Sequence, residues 1–331
     1  AFIWKKLGTD CQNQPEVHAI TQALRAAAHI AAPALIIKAE AIVGPNQLVG
    51  YLGQGEHAGK VSEIAYHNSL MVQIWSAFAA QDARLMEIAL SRFGTVPTTA
   101  AWGTYIRCHD DIGWAIDDTD AHYTGVNGHD HRMFLADYYT GRFYGSPARG
   151  VDFMIDEASG ERRTSGSAAA LAGVQQAARV GDLRALAPAI DRYMCGYAMV
   201  FGFGGIPLLY MGDELGLTND YSYQEVPEHA DDNRWMHRPQ MPWDLTKAPA
   251  DSVAGRVLAI IKRLGEVKAA VPSLHSAVGT KVEVPEHPAL VLFSRRHAAG
   301  NFVGVFSFSP QPQTLSVSAL QHRGINRVFD L

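Results

Sequence analysis

The sequence is poor in cysteine, in excess basic charge and in long apolar runs, and each shortage excludes a class of protein. Cys11, Cys108 and Cys195 are far apart and odd in number, which fits neither a disulfide framework nor a zinc site. A net charge of −5 provides no basic face for nucleic acid or an anionic membrane. No apolar run reaches the ~18 residues of a membrane-spanning helix. We therefore expect a soluble protein without metal or cofactor, and the free thiols favour a reducing compartment such as the cytoplasm.

The two ends of the sequence look as if they were cut from structured elements. It begins Ala1-Phe2-Ile3-Trp4-Lys5, without an initiator methionine or a polar leader, and it ends just as abruptly at Leu331. Termini seldom lie inside ordered elements. We therefore expect a fragment of a longer protein, in which any targeting segment would precede Ala1.

Two kinds of segment alternate along the first 210 residues. Apolar residues recur at helical spacing in 14–30, 70–78 and 83–93. Short apolar runs, typical of strands, lie at 34–37, 64–66 and 206–210. Such alternation is typical of βα units around a parallel sheet. Ligands bind at the carboxyl ends of the strands both in a (β/α)8 barrel and in a doubly wound sheet, so this pattern alone leaves both folds open.

Two later regions differ from this pattern. Residues 116–188 mix aromatic and charged residues without clear periodicity, and a loop of that length is uncommon unless it is functional. After Pro272 the residues alternate in the manner of antiparallel strands, at 281–284, 289–294, 303–308 and 314–317. We therefore predict sheet elements at 1–114, an inserted lobe at 115–188, the last sheet elements at 189–272 and a C-terminal β domain at 273–331.

Polar groups crowd together where two of the predicted strands end. His109, Asp110 and Asp111 follow the strand predicted from Tyr105, and Glu40 follows the apolar run 34–37. Adjacent groups that can carry charge are awkward to bury and shift one another's pKa values. Such crowding is common at functional sites, although a solvated loop end has the same pattern.

These two strand ends resemble motifs of the alpha-amylase superfamily of glycoside hydrolases, and within it those of amylosucrases. Glu40, in the run KAEAIV, resembles the general acid/base, and His109-Asp110 resembles the sugar-binding histidine with the transition-state-stabilising aspartate. Residues 1–5 resemble those that follow the nucleophile, which would therefore lie upstream of Ala1. The implied fold is a partial (β/α)8 TIM barrel, its second half, with a lobe inserted after strand seven and a C-terminal antiparallel β domain.

The same resemblance implies further substrate-binding residues. Asp111, Arg132 and Arg149 match positions on the acceptor side of the pocket, although the two arginines could equally be surface residues. Ile42 would flank the leaving fructose. Arg234 would close the base of the glucose pocket through a salt bridge whose carboxylate partner lies outside this sequence.

The implied activity is that of a retaining glucosyltransferase that takes glucose from sucrose and extends an α-1,4-glucan. The partners are then sucrose and a glucan acceptor, with no nucleic acid and no membrane. A sucrose hydrolase on the same scaffold is the first alternative. A non-catalytic sugar-binding fragment is the second, because the nucleophile is expected outside this chain.

Several other patterns favour structural roles. His122, His129 and His131 lack the spacing of a helical zinc site, so they are interpreted as loop histidines. The glycines around Phe203 precede a strand and lack the spacing of a nucleotide-binding loop, so we predict a helix stop. Asp231-Asp232 is predicted to be a solvated turn.

Overall fold

The computed structural model describes residues 2–94 and 96–325, and these residues form an α/β protein. The helices are α1 (Pro15–Ala31), α2 (Pro45–Leu48), α3 (Asn68–Ala80), α4 (Arg84–Ser91), α5 (Asp118–Tyr123), α6 (Gly128–Tyr139), α7 (Ala168–Leu171), α8 (Val174–Arg179), α9 (Leu183–Phe203), α10 (Val253–Ala270) and α11 (Val317–Gln321). The strands are β1 (Lys38–Ala39), β2 (Ile64–Tyr66), β3 (Ala101–Thr104), β4 (Val151–Ile155), β5 (Arg162–Ser165), β6 (Ile206–Pro207), β7 (Lys281–Glu283), β8 (Leu290–Arg295) and β9 (Phe302–Ser307). Ala1 and residues 326–331 of the predicted C-terminal domain lie outside the described residues.

A four-stranded parallel sheet in the order β1-β2-β3-β6 organises most of the chain. Lys38 lies opposite Ile64, Ala65 opposite Trp102, and β6 adds to the far side of β3. All three pairings are parallel, and helices connect the paired strands along the sequence. The carboxyl ends of the four strands therefore meet at one edge of the sheet. The predicted α/β class with a parallel sheet is confirmed.

Three of the predicted strands are shorter than the apolar pattern suggested. The run 34–37 is not a buried strand, because Leu35 and Ile36 are exposed and only Lys38–Ala39 pairs with β2. The strand predicted to end at His109 stops at Thr104, and β6 stops at Pro207 instead of residue 210. An apolar run shows only that a segment is suited to burial, whereas strand length depends on the neighbouring strand.

The segment between β3 and the polar cluster is held by side chains of the core. The buried indole of Trp75, on α3, donates a hydrogen bond to the carbonyl of Ile106 at 2.9 Å. The guanidinium of Arg107, also buried, donates to the carbonyl of Asp110 at 2.7 Å. These bonds fix the loop that carries His109, Asp110 and Asp111 although it has left the sheet.

The region predicted as an inserted lobe, 115–188, contains regular secondary structure despite its mixed composition. It contains α5, α6, the antiparallel hairpin β4–β5, and then α7 and α8. Asp117 accepts hydrogen bonds from the backbone of Thr119 and Asp120, and Asn127 accepts one from Asp130, so both helices begin at a capping side chain. The prediction of loop histidines is wrong for all three residues, because His122 lies on α5 and His129 and His131 lie on α6.

The C-terminal part contains an antiparallel sheet in the order β7-β8-β9. The prediction of a strand at 314–317 is wrong. Ser316 instead caps helix α11 by accepting a hydrogen bond from the backbone of Ala319. The predicted helix stop is confirmed, since α9 ends at Phe203 and is followed by Gly204 with φ +110°. The four-part division into domains stays a prediction.

A buried arginine joins this sheet to the end of α9. Arg295, on β8, donates from Nε to the carbonyl of Ser273 at 2.6 Å and from Nη2 to the carbonyl of His275 at 2.7 Å. Its Nη1 donates to the carbonyl of Phe203, the last residue of α9. A Cβ at Gly204 would overlap this guanidinium, so the joint requires glycine there. In the part of the chain that the structure describes, no helix is long and apolar enough to cross a membrane.

Gly204→Ala should therefore destabilise the protein by about 2–4 kcal/mol, because it combines a positive φ with overlap against a fully bonded guanidinium. Gly265→Ala is the matched control, since residue 265 lies inside α10 and an added Cβ meets no atom within 4 Å. The control should stabilise by roughly 0.5–1 kcal/mol. Urea unfolding of both variants measures the difference, and equal stabilities would contradict the role of Gly204.

Candidate active site

A cleft of about 930 Å³ lies at the carboxyl edge of the parallel sheet, with the β4–β5 hairpin forming part of its wall. Its walls include the segment after β1, the loop after β3 and the inserted lobe, with Phe2 and Asn68 also lining it. Among the lining side chains are Glu40, Ile42, Asp110, Asp111, Arg132 and Arg163. The fold thus brings most of the predicted site residues to one concave surface.

Glu40 and His109 face each other across the ends of two different strands. Glu40 Oε1 lies 3.9 Å from His109 Nε2, and its Oε2 lies 3.7 Å from Lys38 Nζ. The side chain of Glu40 is 49% exposed, so solvent or a substrate can reach the carboxylate. Asp110 lines the same cleft, and the two carboxylates expected to act on one sugar therefore share a surface.

Asp110 is held in its charged form by an arginine from a later part of the chain. Arg234 Nη1 donates to Asp110 Oδ1 at 2.6 Å, while Arg234 Nε donates to Asp232 Oδ1 at 2.8 Å. Burial alone would raise the pKa of Asp110, but hydrogen bonds from Arg234 and Asp111 outweigh it and lower the pKa to about 2. Asp110 is therefore ionised at neutral pH.

Arg234 differs in one respect from expectation. Its carboxylate partner was predicted outside this sequence, whereas the described residues supply Asp110 and Asp232. The prediction of a solvated turn is accordingly wrong for Asp232, which also caps the 3-10 helix beginning at Asn233. The guanidinium lies 4.7 Å from the centre of the Phe153 ring on β4, which links the lobe to Asp110.

Asp111 lies beside Asp110 but in a drier environment. Its side chain is only 2% exposed, and Arg163 Nη1 lies 3.4 Å from its Oδ2. Burial, followed by hydrogen bonding to Asp110 and its negative charge, raises the pKa of Asp111. The pKa values of the two neighbouring carboxyls are thus shifted in opposite directions, and Asp110 is the more acidic of the pair.

The two arginines assigned to the acceptor side occupy different places. Arg132 lines the cleft and donates to Asp118 Oδ1 at 2.7 Å and to Glu161 Oε1 at 2.8 Å. Arg149 is not among the described residues that line the cleft. Its Nε donates to Gln176 inside the lobe at 3.0 Å, and its Nη1 donates to nearby backbone carbonyls. The donors of Arg149 are directed into the lobe, and its assignment to the acceptor side stays a prediction.

Sequence reasoning missed Arg163, which lies on β5 and contributes to the cleft wall. Its side chain is 53% exposed, and its Nη1 lies 3.4 Å from Asp111 Oδ2. Its neighbour Arg162 also lines the cleft, but its guanidinium pairs with Asp137 and Asp152. Only the alternation of the hairpin distinguishes the two, and that hairpin was not predicted.

A buried carboxyl also lies behind the site. Asp213, after β6, accepts a hydrogen bond from the hydroxyl of Tyr197, and its backbone carbonyl accepts one from Tyr193 at 2.6 Å. Burial raises the pKa of Asp213 to about 7, against the opposing effects of Tyr197 and Arg107. Near neutral pH the carboxyl of Asp213 is therefore only partly ionised.

Within residues 2–94 and 96–325, no set of three or more His, Cys, Asp or Glu side chains is arranged to hold a metal ion. His122, His129 and His131 therefore belong to no such set, and His129 Nδ1 lies 3.0 Å from Glu161 Oε1.

Solved structures show which known fold this chain resembles. The chain matches sucrose 6F-phosphate phosphorylase from Thermoanaerobacter thermosaccharolyticum with a TM-score of 0.61 and 16% identity, over 93% of this chain and 53% of that one. It matches the cyclic alpha-maltosyl-(1→6)-maltose hydrolase of Arthrobacter globiformis with a TM-score of 0.51 and 16% identity, over 88% and 46%. The fold is similar to the (β/α)8 barrels of the alpha-amylase superfamily of glycoside hydrolases.

The chain also matches parts of curated proteins named as a trehalose synthase/amylase and a glucosylglycerate phosphorylase. The trehalose synthase/amylase of Mycolicibacterium smegmatis is 26% identical over 220 residues, which are 65% of this chain and 30% of that enzyme. The glucosylglycerate phosphorylase of Spirochaeta thermophila is 26% identical over 113 residues, 34% of this chain and 19% of that enzyme. The matched stretches thus span less than a third of these relatives. No family model matches the chain.

Asp213→Asn should change how stability depends on pH. A carboxyl whose folded pKa is raised loses stability as pH rises from its unfolded pKa, about 4, to its folded pKa, about 7. The variant should therefore gain up to roughly 4 kcal/mol relative to wild type across this window, with a plateau above it. Urea unfolding of both proteins at about pH 5 and about pH 8 tests this. A pH-independent difference would show that Asp213 does not titrate there.

Proposed function

We propose that this chain supplies the acid/base and the transition-state-stabilising half of a retaining, amylosucrase-like glucosyltransferase. The observation that carries the proposal is the cleft that Glu40 and Asp110 share, with His109 Nε2 3.9 Å from Glu40 Oε1. Its support comes also from the fold of the alpha-amylase superfamily and from the glucosyl chemistry of the curated relatives. The chain would then be the second half of the barrel, followed by the C-terminal β domain.

In the first step, Glu40 donates its proton to the leaving oxygen of the donor sugar while the glycosidic bond breaks. The anomeric carbon bonds to a carboxylate nucleophile, which we assign to a segment outside these 331 residues. Asp110, ionised through Arg234, accepts hydrogen bonds from ring hydroxyls and offsets the positive charge of the oxocarbenium-like transition state. His109 is placed to bind a hydroxyl of the same ring.

In the second step, the hydroxyl of an acceptor attacks the anomeric carbon and releases the nucleophile. Glu40, now ionised, takes the proton of that hydroxyl, so each cycle returns the carboxyl to its starting state. We assign sucrose as donor and an α-1,4-glucan as acceptor. Ile42 would flank the leaving fructose, with Asp111, Arg132 and Arg163 on the acceptor side.

The full-length protein tests this assignment directly. Incubation with sucrose and a glucan primer should release fructose and lengthen the glucan, with little free glucose. Glucose in proportion to fructose would indicate the sucrose hydrolase alternative. Turnover of trehalose but not of sucrose would contradict the proposed donor and follow instead the activity named for the trehalose synthases. Since the nucleophile is assigned outside this chain, the isolated 331 residues should bind sugar without turnover.

Glu40→Gln in the full-length protein should lower the rate of sucrose turnover by about 10²–10⁴-fold, because the amide cannot protonate the leaving oxygen. Sugar binding, measured by calorimetry, should remain. Glu56→Gln is the matched control, since Glu56 is 86% exposed and lies outside the cleft. An unchanged rate in the Glu40 variant would remove Glu40 from the acid/base role.

A further inference from the structure

We propose that the bulge at Met154 in the β4–β5 hairpin forms an apolar acceptor subsite, so that acceptors carrying an aryl group are also glucosylated. The inference rests on the proposed function, because it concerns which acceptor reaches the glucosyl intermediate. It goes beyond the glucan assigned above, since Met154 and Ile155 suit a part of the acceptor that is not sugar. Both residues line the same cleft as Glu40 and Asp110.

An extra residue interrupts the pairing of the hairpin at this point. Phe153 and Ile155 lie opposite adjacent residues of β5, so Met154 between them has no partner there. In a regular strand Phe153 and Ile155 would lie on the same face, but a bulge re-aims the side chains beside it. The ring centre of Phe153 lies 4.7 Å from the guanidinium carbon of Arg234, whereas Met154 and Ile155 line the cleft. The bulge therefore gives two consecutive apolar residues to the cleft wall.

The backbone at Met154 has a conformation that bulky residues avoid. Its φ is +48°, in the left-handed region, which glycine adopts readily and a long side chain rarely adopts. Strain of this kind persists only where the surrounding structure imposes it, and it is concentrated at active sites and ligand sites. Glycine would relax the backbone at residue 154, yet it would also remove the side chain from the cleft wall. The side chain, and not the turn alone, is therefore the feature to explain.

The chemistry of the two side chains indicates which group this subsite binds. Met154 is 65% exposed and Ile155 is 60% exposed, so much of their apolar surface is accessible. Neither side chain has a hydrogen-bond donor, so the hydroxyls of a sugar would gain little from them. Adjacent exposed apolar residues in a concave site are instead suited to apolar groups. Because a thioether also makes favourable contacts with aromatic rings, the subsite is matched to an aryl group.

An aryl glucoside would use both the apolar and the polar parts of the cleft. Its aryl group would lie on Met154, and its sugar ring would lie beside Arg163, which is on the partner strand of the hairpin. A hydroxyl oxygen of that ring then bonds to the anomeric carbon of the glucosyl intermediate. The bond from this carbon to the nucleophile carboxylate breaks, and Glu40 takes the hydroxyl proton. The product is an aryl diglucoside, and the step needs no further reactant.

The test measures acceptor preference in the full-length protein with sucrose as donor. Transfer to phenyl β-glucoside is compared with transfer to methyl β-glucoside, because the two share a sugar ring and differ only in the aglycone. Wild type should prefer the phenyl glucoside by about 10-fold in kcat/KM. Met154→Gln keeps the length of the side chain and makes its end polar, so it should lose most of this preference. Met154→Leu keeps the side chain apolar and should retain the preference.

Paired glycine variants separate the side chain from the strain of the backbone. Gln81 has a φ of +54° at the end of α3, is exposed and lies outside the cleft. Gln81→Gly and Met154→Gly should both raise the midpoint of urea unfolding, because each relieves a left-handed conformation. Only Met154→Gly should also lose the preference for the phenyl glucoside. Equal preferences in these two variants would overturn the inference.

The outcomes distinguish this inference from the proposed function. If wild type releases no fructose from sucrose, the proposed function fails. Calorimetry with the two glucosides then still tests the subsite, because Met154→Gln should weaken binding of the phenyl glucoside only. If wild type lengthens a glucan but uses the two glucosides equally, this inference alone fails. It also fails if Met154→Gln lowers stability without changing the preference, as expected if a segment outside these 331 residues covers Met154.

Discussion

Parallel pairing of β1, β2 and β3 is the constraint on which the rest of the structure depends. Because the strands run in one direction, the segments after their carboxyl ends meet at a single edge. Glu40 and His109 are far apart in the sequence, yet this pairing brings their polar atoms within 3.9 Å. The same edge in other α/β proteins holds ligands, for the same geometric reason.

The carboxylates of the cleft are compensated by arginines that lie later in the sequence. Asp110 and Asp111 are adjacent carboxyls that would repel each other if both were ionised without compensation. Arg234 holds Asp110 in its charged form, and Arg163 from the lobe faces the more buried Asp111. The lobe therefore completes the electrostatics of the strand ends, in addition to forming a wall of the cleft.

Much of the architecture follows from patterns that can be read without coordinates. The helical spacing near α1, α3 and α4 identifies those helices, and the resemblance around Glu40 and Asp110 identifies the residues that meet in the cleft. Errors concentrate where a pattern has more than one structural outcome. Leu35 and Ile36 have the composition of a buried strand, yet the local pairing leaves them exposed. The mixed composition of the lobe concealed two capped helices and a hairpin.

The sequence by itself determined the kinds of secondary structure and the pair of acidic residues at two strand ends, because periodicity and motifs are local properties. Tertiary structure alone decided which partner each of these arginines bonds to. Arg149, Arg162 and Arg163 are chemically the same, and only the register of the β4–β5 hairpin turns Arg163 toward Asp111 while Arg149 bonds inside the lobe. It also decided that Lys38 and Tyr66 meet beside Glu40, since that contact depends on how β1 pairs with β2. Contacts between distant segments depend on packing, which no local pattern encodes.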